Sequence, residues 1–151
     1  MLKANFITAQ EAAEKIQDGS TLCTIGMTLV SASESILKAI EKRFETVGHP
    51  ADITLVHSCG QSDRKDGIQH LAHEGLVKRI VGSHWGLQPR WMEMIANSQV
   101  EAYCLPQGQI AQLYRSMACG LPGKMSKVGL GTFIDPRVEG GKMNDRTKPL
   151  P

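Results

Sequence analysis

The chain has 151 residues, 41% hydrophobic and 21% charged, with a formal net charge of +2. That size supports one domain with a genuine core. Charges of both signs are interspersed, and Arg64-Lys65 and Lys78-Arg79 are short surface pairs, so nothing tracks a nucleic-acid backbone. No apolar run is long enough to span a bilayer and Met1-Leu2-Lys3-Ala4-Asn5-Phe6 has no signal-peptide core, which implies a soluble, cytoplasmic protein without membrane or nucleic-acid partners.

Helices and strands alternate along the chain. Thr8 caps a first helix, with Glu11 three residues on, that runs through Ile16-Gln17 to Asp18-Gly19. Thr21-Leu22-Cys23-Thr24-Ile25 is a buried strand ended by Gly26. Ser33 caps the next helix, whose Ile36, Leu37, Ile40 and Phe44 form an apolar stripe that Gly48-His49-Pro50 breaks. A second strand covers Ile53 to Cys59, then a polar loop from Gln61 to Gly67 and a short helix around His70 to Gly75. Leu76 to Gly82 is the third strand; after Ser83-His84-Trp85-Gly86 a helix runs from Pro89, near its first position, to Asn97. The fourth strand is Val100 to Leu105, and a helix follows from Gln109 toward Cys119-Gly120.

Strands separated by single helices require parallel pairing with right-handed crossovers. The expected fold is therefore an open, doubly wound, mainly parallel α/β sheet with helices on both faces. The loops after the strands fall on one edge, so Gly26-Met27, Cys59-Gly60-Gln61, Ser83 to Gly86 and Gln107-Gly108 line one crevice. In Leu105-Pro106-Gln107-Gly108, Pro106 cannot join a ladder and Gly108 permits a tight turn, which leaves the Gln107 amide free for a ligand. A carboxamide that donates hydrogen bonds suits a developing oxyanion; tying off a loop is its plainer role.

Cys23, Cys59, Cys104 and Cys119 are scattered, with no Cys-x-x-Cys pair or neighbouring metal-spaced His, so neither a disulfide nor a zinc framework is expected. Those in or beside strands pack as small hydrophobes, with Cys59 bordering the crevice.

Several blocks, in order, carry a resemblance. They are Asp18-Gly19-Ser20-Thr21, His73 to Lys78, Gly82-Ser83-His84-Trp85-Gly86, Pro106-Gln107-Gly108, the run Lys127-Val128-Gly129-Leu130-Gly131-Thr132-Phe133-Ile134-Asp135-Pro136-Arg137, and Gly140-Gly141-Lys142-Met143-Asn144. With them the chain resembles the N-terminal, α-type half of family I coenzyme A transferases, in the acetate/propionate, short-chain acyl branch. The run from Lys127 is the most specific of the blocks; Gly-x-Gly alone is weak.

The resemblance implies transfer of CoA between a short-chain acyl-CoA and a carboxylate through an acyl-glutamyl anhydride and a glutamyl-CoA thioester. The family's nucleophilic glutamate lies in a β-type half that has no counterpart in these residues; Glu74-Gly75 and Glu139-Gly140 do not match it. Gln107 is implied as the oxyanion donor, and Gly26, Met27, Ser58, Cys59, Gly60 and Gly108 as substrate-binding positions. Two departures stand out: Gly26-Met27-Thr28-Leu29-Val30 replaces a Gly-Gly pattern, and the Ser58-Cys59-Gly60 loop lacks the asparagine some relatives carry. His84 and Trp85 form a wall, a subunit contact or a packed structural pair, while His57, His70 and His73 match no catalytic role. Gly129 and Gly131 read as a tight turn abutting the site.

Residues 1–144 are assigned to the α-type domain and 145–151 to a tail at the start of a linker. No metal, nucleotide or flavin cofactor is expected, the CoA thioester being the substrate; partners are acyl-CoA, a short-chain carboxylate, a β-type half and further copies of the chain. A noncatalytic small-anion-binding or regulatory domain, and an inactive fragment, remain as alternatives.

Overall fold

The computed structural model describes residues 4–149, so Met1 to Lys3, Leu150 and Pro151 lie outside the described residues. Strands β1 (Thr21–Thr24), β2 (Ile53–His57), β3 (Val77–Gly82) and β4 (Glu101–Cys104) form one parallel sheet in the order β1-β2-β3-β4. Helices α1 (Ala9–Glu14), α2 (Glu34–Val47), α3 (Pro89–Ala96) and α4 (Gln107–Ala118) alternate with them, together with a 3₁₀ helix at Gly67–Leu71. The open parallel α/β sheet that the alternation implied is what forms. Its strands stand in chain order, so the crevice opens above successive strand ends.

Local chemistry sets the element ends. At α1, Thr8 Oγ1 accepts from Glu11 N (3.2 Å) while Glu11 Oε2 accepts from Thr8 N (2.7 Å), a reciprocal cap. Ser33 precedes α2 as expected, but its side chain makes no capping bond. The short helix expected around His70 to Gly75 is a 3₁₀ turn lying further upstream, because Ile68 and Leu71 both insert into the core. Helix α4 begins at Gln107, two residues before the expected start, with Pro106 at its N-cap.

Alternate residues of each strand face opposite sides. One face carries Leu22, Ile53, Leu55, Ile80 and Ala102 into a cluster with Ala13, Leu37, Ile40, Trp91 and Ile95 from α1, α2 and α3. Trp91 Nε1 donates to Ile68 O (2.8 Å), so its polar edge is satisfied inside that core. Val56, Tyr103 and Ile110 are buried apart from this cluster. Tyr114 of α4 reaches back to donate to Thr24 O (3.1 Å) and Val56 O (3.3 Å), and burial pushes its hydroxyl up to about 12. Cys23, expected to pack as a small apolar side chain, is exposed because β1 is an edge strand.

The residues after α4 return to the sheet. Cys104 N donates to Gly141 O (2.7 Å) and Met143 N to Ala102 O (3.0 Å), so this segment flanks the outer edge of β4. Gly141 has φ +75 and a Cβ there would stand 2.4 Å from Cys104 O, a fit that only glycine allows. Thr147 Oγ1 pairs with both N (2.8 Å) and O (3.2 Å) of Ala102, and Tyr103 Oη donates to Lys148 O (2.7 Å). The segment read as a tail from Asp145 is thus fastened to the sheet as far as Lys148.

Candidate active site at the strand ends

Four loops meet above the carboxyl ends of the strands. In the first, Gly26 has φ +143, and a Cβ there would stand 2.9 Å from Val30 O; the chain then doubles back so that Met27 pairs with Val30. Thr28 N donates to Gly60 O (2.8 Å), which pins this loop to the second.

The second loop rests on His57, which is fully buried at the end of β2. Its Nδ1 lies 2.7 Å from Cys59 O, and a carbonyl only accepts, so Nδ1 carries the proton. Burial drives its pKa down to about 4 against the opposing pull of that carbonyl, and the ring is neutral at pH 7. Two buried glutamines then tie the loops together. Gln61 Nε2 donates to Thr24 O (2.8 Å), and the Gln88 amide, oriented to satisfy both neighbours, donates to His84 O (3.0 Å) and accepts from Gln61 N (2.8 Å).

The third loop divides the Ser83-His84-Trp85-Gly86 motif. Trp85 turns inward, 7% exposed, with its ring edge-on to His57, while His84 turns out into the crevice. Ser83 Oγ donates to Ser58 O (2.5 Å). The fourth loop presents Gln107 as the first residue of α4, exposed, with Gly108 behind it.

These loops enclose a cleft of about 380 Å³. Of the residues singled out from sequence, Met27, Cys59, Gly60, Ser83, His84 and Gln107 line it together. Gly26, Ser58 and Gly108 stand one residue back: Gly26 turns the first loop, the Ser58 carbonyl is held by Ser83, and Gly108 continues the helix. Glu74 and Glu139 are both exposed and neither is at the cleft.

The cleft also has walls that sequence reading did not assign. Leu87, Leu105, Phe133 and Ile134 make it largely apolar. Phe133 and Ile134 arrive through the glycine turn expected to abut the site, where Gly131 N donates to Asp135 Oδ2 (2.8 Å). The Arg137 side chain, forked onto both Asp135 oxygens, and the backbone N–H groups of Gly131 and Arg137 hold the Asp135 carboxyl well below the usual carboxylate range. The motif signalled a turn, but only the fold shows which way its side chains point.

All four thiols are free, and burial raises that of Cys104 beneath the cleft. Two histidine–carboxylate groups have metal-ligating composition: Glu34, Asp66 and His70, and Glu41, Glu45 and His73. Both lie on α2 and on the 3₁₀ helix and the residues flanking it, apart from the cleft, and the Lys38 ammonium stands 3.1 and 3.2 Å from Glu34 and Asp66. Chemically, the cleft combines an apolar chamber with a few outward-facing hydrogen-bonding groups and, among the described residues, no lining carboxylate.

The sequence and the fold are similar to those of known proteins. The chain is 42% identical over 145 residues to the caffeate CoA-transferase of Acetobacterium woodii, a match covering 95% of the chain and 28% of that protein. It is 38% identical over 144 residues to the acetate CoA-transferase YdiF of Escherichia coli strain K12, covering 94% of the chain and 27% of that protein. The crystal structure of the acyl-CoA transferase YdiF apoenzyme from Escherichia coli O157:H7 superimposes with a TM-score of 0.87 at 37% identity, over 94% of the chain and 28% of that structure. The chain therefore spans little more than a quarter of the length of these relatives. The coenzyme A transferase family model matches residues 6–149, and the chain belongs to that family.

Proposed function

We propose that this chain is the α-type half of a CoA-transferase that moves CoA between a short-chain acyl-CoA and an acetate-like carboxylic acid. The observation that carries this is the cleft itself: Gln107 opens a helix beside an apolar chamber at the strand ends, in a chain of the coenzyme A transferase family. An amide N–H at that position complements charge that develops on a thioester oxygen. The nucleophilic glutamate of the glutamyl-CoA route is supplied by a β-type half, in keeping with the absence of a lining carboxylate among the described residues and with relatives more than three times as long. The thioester already carries an activated acyl group, so the ping-pong sequence calls for no separate cofactor. On this reading the protein works in the cytoplasm on acyl-CoA esters and free carboxylates, in an assembly containing more than one copy of this half.

The test is acyl-CoA/acetate exchange by the chain alone and with a β-type half added. Turnover only in the mixture is expected. Turnover by the chain alone would overturn the placement of the nucleophile; stabilisation by a sugar phosphate with none by CoA esters would replace the reading with a regulatory one. In the active mixture, Gln107→Ala is expected to lower kcat about 10²–10³-fold with little change in CoA-ester binding.

A further inference from the structure

Three hydrogen-bonding side chains at the cleft are already committed to the protein. Thr28 Oγ1 donates to Met27 O (2.6 Å), Ser83 Oγ to Ser58 O (2.5 Å), and Cys104 Sγ to Ser83 O (3.7 Å). Among the described residues, the two lining side chains with strong donors directed to no protein acceptor are Gln107 and His84. A carboxylate entering an apolar chamber must exchange its water for such donors.

The backbone of His84 is also held in place, and its ring has a niche beside two glycines. A Cβ at Gly60 would lie 2.8 Å from Nδ1 of its ring, and one at Gly86 would lie 3.1 Å from Cε1 and Nε2. The ring therefore occupies space that both neighbours leave vacant. Its carbonyl accepts from the buried Gln88, which is linked through Gln61 to the end of β1. Such anchoring is what a recognition group needs if ordering it is not to offset the bond it makes.

We propose that His84 is a substrate-recognition residue, donating a ring N–H to the free carboxylate of the acceptor acid while Gln107 serves the oxyanion. The proposal rests on the CoA-transferase reading above. It divides the cleft between two donors: His84 acts on the carboxylate before reaction, and Gln107 acts on charge that appears during it. Binding shared equally by ground and transition states appears in KM, whereas transition-state binding appears in kcat.

The experiment measures exchange kinetics in the reconstituted pair with acetate as the varied acceptor. His84→Leu is expected to raise KM for acetate roughly 10- to 100-fold, the usual cost of losing a hydrogen bond to a charged group, with a much smaller fall in kcat. His84→Gln, which retains an N–H donor, is expected to recover most of that loss. Gly86→Ala leaves His84 in the chain but crowds its ring, and is expected to raise KM in the same direction. An unchanged KM in folded His84→Leu, or a Gln variant no better than Leu, would overturn the role of His84 while leaving the CoA-transferase reading intact. No exchange by the unaltered pair would remove both.

Discussion

A methyl group at Gly82 would stand 2.3 Å from Nε2 of His57, a contact no folded protein makes. That Nε2 is buried and has no hydrogen-bond partner, so the ring and the bare backbone fit each other by shape alone. Gly82→Ala is expected to lower stability by about 1–3 kcal/mol, the usual cost of overpacking, and His57→Ala in the same background should recover part of it; urea denaturation of the four variants measures the coupling. His57 also gives the fold an acid-side weakness. Its ordinary value of about 6.5 applies once the chain unfolds, whereas the folded ring refuses the proton until about pH 4. Between those values the unfolded state binds more protons, so stability falls as pH falls through that window, and His57→Gln should flatten the fall. The sequence placed His57 near a strand end but could not show its depth, because burial there depends on Gly82 of β3 and Trp85 of the loop after it closing over the ring. The same limit applied to His84 and Trp85, whose opposite orientations are set by the loop and not by residue type.

At the scale of elements, α2 and the 3₁₀ helix are fastened by charge as well as by Leu37, Ile40, Ile68 and Leu71. His70 has its Nδ1 on Glu41 and its Nε2 2.8 Å from Glu34 and 3.3 Å from Asp66, while His73 Nε2 lies 2.9 Å from the other Glu41 oxygen. Burial alone would lower the pKa of His70, but the bonds from Glu41 and Glu34 outweigh it and the net shift is upward. A raised histidine contributes fully below its unfolded value and loses that contribution as pH rises through the folded one. For Glu41, burial acts upward but the bonds from His73 and His70 leave the pKa net lowered, so its contribution is lost on the acid side. His70→Gln is therefore expected to cost more stability at pH 6 than at pH 9, as read from urea midpoints at the two pH values. The strands and α2 were legible from β-branched runs, an apolar stripe at helical spacing and glycine or proline breaks. The 3₁₀ turn was not, because its position answers to where the core has room for Ile68 and Leu71.

Over the whole molecule, apolar side chains are left in the open in the first loop and from the end of α4 onward. Met27, Leu29 and Val30 are exposed in the first loop, and Met117 at the end of α4 and Leu121, Met125, Val128 and Leu130 after it are exposed as well, with Met125 95% exposed. An exposed apolar surface of this kind marks an interface. The isolated chain is expected to self-associate with rising concentration and to bind an environment-sensitive apolar dye, and a β-type half should suppress both; light scattering and dye fluorescence measure them. The sequence showed that such residues were present, but not that the fold leaves them exposed.

The fastening of residues 141–147 along β4 bears on aggregation. A strand at the rim of a sheet presents unpaired N–H and C=O groups that template association with other chains. Here Gly141, Met143 and Thr147 occupy those of Cys104 and Ala102, although none of the three belongs to a strand. The stretch acts as a molecular hem. Cutting the chain before Gly141 would leave every catalytic candidate in place yet unpick that hem, and the expected product is a protein that loses solubility before it loses its site.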